Sequence, residues 1–72
     1  MAQIKIRSDV AGTVWKIEVA VGDRVAEGDT VMLIESMKME IPVAAPCAGT
    51  INAIFVAEQQ RIAEGETLAA LE

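Results

Sequence analysis

Few residues in this chain are equipped for chemistry, and one of them stands in odd company. Lys38 lies between Met37 and Met39 in the stretch "ESMKME", which runs from Glu35 to Glu40. A lysine ε-amine is a potential nucleophile, whereas methionine is flexible apolar filler of hydrophobic cores. A charged lysine is not comfortably buried with two such neighbours, so the pattern reads as methionines presenting an amine. The other candidates are weaker. The chain has one cysteine and no histidine, so the commonest general base is missing. Ser36 and Cys47 have no base beside them in sequence, and a lone Cys47 reads as a small packing residue rather than a nucleophile. An internal disulfide and a His/Cys metal cluster are excluded, which fits a reducing, cytoplasmic setting. The expectation is no catalytic residue and no metal site.

The elements that must position Lys38 belong to a small body. With 72 residues, 53% of them hydrophobic and 24% charged, the chain is read as a single domain over 1–72, near the lower limit for a self-sufficient core. Its net charge of −5 is spread through interspersed acids and bases. No clustered Lys/Arg surface for phosphate binding is visible, so nucleic acid is not an expected partner. The apolar runs are too short for a helical membrane span, and "MAQIKIRSDV" alternates rather than forming a signal-peptide block. The isolated domain is expected to be a monomer.

The chain divides into two similar halves. Residues 8–35 align without a gap on residues 45–72. "AGT" at Ala11–Thr13 recurs at Ala48–Thr50, and "RVAEGDT" from Arg24 recurs as "RIAEGET" from Arg61. A repeat this close implies a duplicated unit, with the halves burying apolar faces against each other. "IKIR" and "TVWKIEV" alternate at the period of a strand, and "TVMLI" is apolar on both faces. Beyond the lysine, Met39, Ile41 and Val43 alternate with Glu40, Pro42 and Ala44, which points Met39 toward the core. Pro42 cannot donate to a ladder, so its strand belongs at an edge or a bulge. Turns are expected at 21–23, 27–29, 45–49 and 64–66, with Gly28 and Gly65 supplying positive φ. The reading is all-β, with about eight short strands in a small sandwich or flattened barrel.

The repeat also locates the lysine. Glu35 corresponds to Glu72, so a two-fold relation of the halves puts the segment after Glu35 at the far end from the C-terminal residue. Met37 and Lys38 become the central pair of a two-residue hairpin. Primed turns favour Asn-Gly and similar pairs, so a local preference is being overridden here, as happens at functional sites.

These residues resemble the biotin/lipoyl attachment domains, most closely the biotinyl carrier domains of biotin-dependent carboxylases. The resemblance runs from about Ser8 to Glu72 and rests on "MKM", on Glu35 before it, and on the repeated "AGT…GD.V..GD" punctuation. It implies a flattened β-barrel, or barrel-sandwich hybrid, of two four-stranded antiparallel sheets with the target lysine on a hairpin. By the same resemblance Lys38 is the residue carrying covalent biotin, attached by a biotin protein ligase, with Met37, Met39 and Glu35 as recognition residues. It further implies a non-catalytic carrier that shuttles a carboxyl group between biotin carboxylase and carboxyltransferase sites. The flanking methionines mark the biotinyl branch, since lipoyl domains usually carry aspartate before the lysine and alanine after it.

Some positions depart from the family pattern. Ser36 replaces the usual alanine, a small change. Glu58-Gln59-Gln60 replaces the family's glycine-aspartate, so that turn is expected to be looser or differently shaped. There is no room between Val14 and Asp23 for the protruding thumb of the acetyl-CoA carboxylase subtype, so the thumbless carriers are the nearer likeness. The length suits a small free-standing carrier and an excised domain equally. Trp15 aligns with Asn52 and is placed near a rim, chiefly in support of the fold. Two alternatives remain: a lipoyl carrier, or an unmodified β-barrel interaction module in which "MKM" is incidental.

Overall fold

The computed structural model describes residues 3–72. Every regular element among them is a strand: β1 (Ile4–Arg7), β2 (Gly12–Ile17), β3 (Arg24–Val25), β4 (Thr30–Ser36), β5 (Met39–Ala44), β6 (Gly49–Ile54), β7 (Arg61–Ile62) and β8 (Thr67–Leu71). They form two four-stranded antiparallel sheets, ordered β1-β8-β6-β3 and β5-β4-β2-β7. The sheets are not closed into a true barrel. Val14, Val31, Met32, Ile34, Ile51, Leu68 and Leu71 are fully buried between them and form the centre of the core.

The two-fold relation read from the sequence is carried by the backbone. Val14 N–H donates to Gln60 C=O, and its counterpart Ile51 N–H donates to Asp23 C=O. Gly28 N–H donates to Ala45 C=O, as Gly65 N–H does to Ser8 C=O. The halves interlock: β7, from the second half, pairs with β2, and β3, from the first, pairs with β6. Each sheet therefore needs both halves, a consequence the linear alignment does not display.

Four turns share one design. Ala20, Ala26, Ala57 and Ala63 N–H groups donate to the side chains of Asp23, Asp29, Gln60 and Glu66, each three residues on. The residue before each acceptor has positive φ: Gly22, Gly28, Gln59 and Gly65. The expectation for Glu58–Gln60 is corrected here. The turn is neither looser nor differently shaped, because Gln60 replaces the aspartate as acceptor and Gln59 adopts φ 74° in place of glycine.

Strict alternation also fails at matched points. The register skips Trp15 between Val14 and Lys16, and skips Asn52 between Ile51 and Ala53. These bulges put Val14 and Ile51 in the core and turn Trp15 outward, where it is 45% exposed. Pro42 lies on β5, an edge strand, where its missing N–H leaves no ladder bond unmade.

Candidate functional site

β4 and β5 are the most extensively paired strands of the lysine-bearing sheet, from Thr30↔Ala44 to Ser36↔Met39, with one register shift between Thr30 and Met32 and unbroken register from Met32 to the turn. The register sets Ser36 and Met39 opposite each other as the last pair, leaving Met37 and Lys38 as the whole of the loop. Their φ values are 53° and 66°, the signature of a primed two-residue hairpin. Neither residue is glycine or asparagine. Left-handed backbone at two such side chains costs on the order of 1 kcal/mol each, and the long β4–β5 ladder is what holds them there.

The apex is bare. Met37 is 92% exposed, and Lys38 is exposed beside it. Met39 is 64% exposed, which corrects the expectation that it faces the core. It does share a face with Ile41 and Val43, which are half-buried. However, it sits next to the turn on an edge strand, beyond the reach of the facing sheet's packing. The tip therefore offers two methionine side chains and an amine to solvent, an adaptable surface for a partner.

Glu35 and Glu40 are directly opposed at the base of the hairpin. Like charges in that position weaken a strand pair, so this arrangement is not explained by folding. Across the same sheet Glu35 pairs with Thr13, and Thr13 with Arg61. Gly12 permits the close approach of β2: a Cβ there would lie 2.4 Å from the Glu35 carbonyl oxygen. Beside the hairpin is an open groove of about 440 Å³ lined by Gly12, Thr13, Glu35, Ser36, Lys38 and Arg61 among others.

Met37, Lys38, Met39 and Glu35 are thus brought together at one end. Gly12, Thr13 and Arg61 join them without having been foreseen. The signal available for them was the pairing of halves, since Arg61 occupies beside β2 the place that Arg24 holds beside β6. Cys47 lies away from this end, partly buried against the core.

A family model described as "Biotin-requiring enzyme" matches residues 2–71. Among relatives, a "Biotinylated protein TB7.3 homolog" of Mycolicibacterium smegmatis is 50% identical over 40 residues, 56% of each chain. A "Biotin/lipoyl attachment protein" of Bacillus subtilis is 50% identical over 36 residues, 50% of this chain and 49% of its own. The matched stretch thus spans about half the length of these relatives. Among solved structures, Kluyveromyces lactis urea carboxylase contains a region with TM-score 0.95 and 32% identity, covering 100% of this chain and 6% of that one. A single-chain, multi-domain long-chain acyl-CoA carboxylase matches with TM-score 0.89 and 28% identity, over 94% of this chain and 7% of that one.

Proposed function

Because the chain belongs to the biotin/lipoyl family of biotin-requiring enzymes, we propose that it is a biotin carrier domain of a biotin-dependent carboxylase, with the cofactor on Lys38. The observation that carries the assignment to this lysine is its place at the apex of a strained two-residue hairpin, exposed and at positive φ. Lys5 and Lys16, by contrast, lie within β1 and β2. A group attached to the end of a long side chain needs no enclosing pocket, so an exposed apex amine fits it.

Lys38 would hold biotin through an amide between its ε-amine and the cofactor's carboxyl group. When bound, biotin supplies a ring that accepts and gives up a carboxyl group. The protein's share of the work is presentation. The packed sheets fix where the hairpin starts, and the lysine stem leaves the ring free to enter an active site. Tethering of this kind gives effective concentrations on the order of millimolar without tight docking of the carrier. We assign it a carrier's role rather than a catalyst's, moving the carboxyl group between a biotin carboxylase and a carboxyltransferase. The attaching enzyme is a biotin protein ligase. Carboxylases among the structural neighbours support that setting.

The test is incubation with biotin, ATP and a biotin protein ligase, followed by intact mass and peptide mapping. One biotinyl group on Lys38, none on Lys5 or Lys16, and none on Lys38→Arg is the expected result. Label elsewhere, or acceptance of lipoyl in preference to biotin, would overturn the reading.

A further inference from the structure

The register brings four residues of the lysine-bearing sheet into one transverse row. Glu40 opposes Glu35, Glu35 opposes Thr13, and Thr13 opposes Arg61. Directly paired residues project from the same face, and with strands about 4.8 Å apart the row spans roughly 14 Å. Glu40, Glu35 and Arg61 are exposed, and Thr13 is half-buried. The row is electrically polar, with two carboxylates at one end and a guanidinium at the other. Among the described residues, no side-chain hydrogen bond engages Arg61.

A hairpin apex is too small to be the whole of a specific protein contact. Even weak complexes cover roughly 400–800 Å² on each partner, so anything that acts on Lys38 must also rest on a neighbouring surface. The open groove beside the apex is lined by both Lys38 and Arg61, so it is a neighbouring surface that a partner at the lysine would meet. We infer that Arg61 is part of the docking surface for the biotin protein ligase, pairing with an acidic group of that enzyme while Glu35 and Glu40 face basic ones. The polarity of the row then fixes which way round the ligase sits over the lysine. The inference rests on the carrier reading. Exposed charges of this kind act mainly on encounter and register rather than on the chemical step.

The fold supplies its own control. Arg24 pairs with Thr50 on β6 as Arg61 pairs with Thr13 on β2, but at the far end, away from Lys38. Arg61→Glu and Arg24→Glu change net charge equally. The experiment is steady-state biotinylation of each folded variant by a purified biotin protein ligase, with biotin and ATP. Arg61→Glu is expected to lower kcat/KM about 10-fold, chiefly through KM, and Arg61→Gln about 3-fold. Arg24→Glu should stay within about twofold of the parent, and the Arg61→Glu deficit should shrink as salt is raised. Equal behaviour of Arg61→Glu and Arg24→Glu would overturn the inference while leaving the carrier reading intact. So would a loss confined to kcat. Failure of the parent protein itself to take biotin on Lys38 would instead overturn the carrier reading, and this inference with it.

Discussion

The molecule solves the same backbone problem in two ways. In the four side-chain-capped turns, one residue must adopt positive φ, and three of the four use glycine: Gly22, Gly28 and Gly65. Each of these turns is also closed by a side-chain acceptor on an alanine N–H. In the lysine hairpin two consecutive residues have positive φ, neither is glycine, and no such acceptor closes the loop. Where only folding is at stake, the residue suits the conformation. At the apex the conformation is imposed on residues that do not favour it. The strain is tolerable because β4 and β5 pair over nearly their whole length.

If presentation matters more than local composition, moving the amine should have the largest effect. The double variant Ser36→Lys/Lys38→Ser keeps composition and net charge but places the lysine on β4, opposite Met39. A strand side chain leaves the backbone at another angle from one at a turn apex, and misplacement of about 1 Å can cost roughly 100-fold in rate. The swapped protein should fold, by circular dichroism, and biotinylate at least about 100-fold more slowly. Rapid labelling of residue 36 would mean that sequence rather than placement is recognised.

The next effect separates two reasons for glycine. At Gly28 a Cβ would meet nothing within 4 Å, so only φ 89° opposes a side chain. At Gly12 the obstacle is the Glu35 backbone, which cannot rotate away. Gly12→Ala should therefore cost about 2–4 kcal/mol, against about 1 kcal/mol for Gly28→Ala. Denaturant melts would decide this, and equal losses would show that strand approach beneath the hairpin is not constrained.

Much of this was legible in the sequence, and the failures are physical. The gapless repeat foretold paired halves, and Pro42 foretold an edge. The position of Met37 and Lys38 between two alternating runs foretold the hairpin. Interlocking of the halves was hidden because β3 and β7 are two residues long, too short to show a period. The bulge at Trp15 was hidden too, since it shifts phase without leaving a mark in composition, although the rim position read from its alignment with Asn52 agrees with its 45% exposure. Met39 was misjudged for a related reason: alternation reports a face, not whether anything covers it. The Gln59 turn was misjudged because a glutamine at positive φ is uncommon and nothing local announces it.

A smaller effect sets function against stability at the apex itself. Met37→Asn replaces a side chain disfavoured at φ 53° with one that tolerates that region. It should stabilise the fold by about 0.5–1 kcal/mol. Because Met37 is 92% exposed, little packing is lost. Ligase labelling should slow nonetheless, if the methionine is part of what is recognised. A variant that gains neither stability nor slower labelling would show that the hairpin is under no such tension.

The smallest effect tests whether strain outside the site is merely incidental. Gln59 has φ 74° in the turn where its three counterparts carry glycine. Its side chain is exposed, and the capping acceptor is its neighbour Gln60. Gln59→Gly would therefore relieve the left-handed backbone, on the order of 1 kcal/mol, without disturbing the cap. Glycine also gives the unfolded chain more freedom, which offsets part of that relief. The balance should be a gain of about 0.5 kcal/mol or less in denaturant melts. Biotinylation should be unchanged, in contrast to Met37→Asn, because Gln59 is not among the residues that line the groove beside the apex. Slower labelling of Gln59→Gly at unchanged stability would break the comparison, since it would place the second non-glycine departure within the functional surface too.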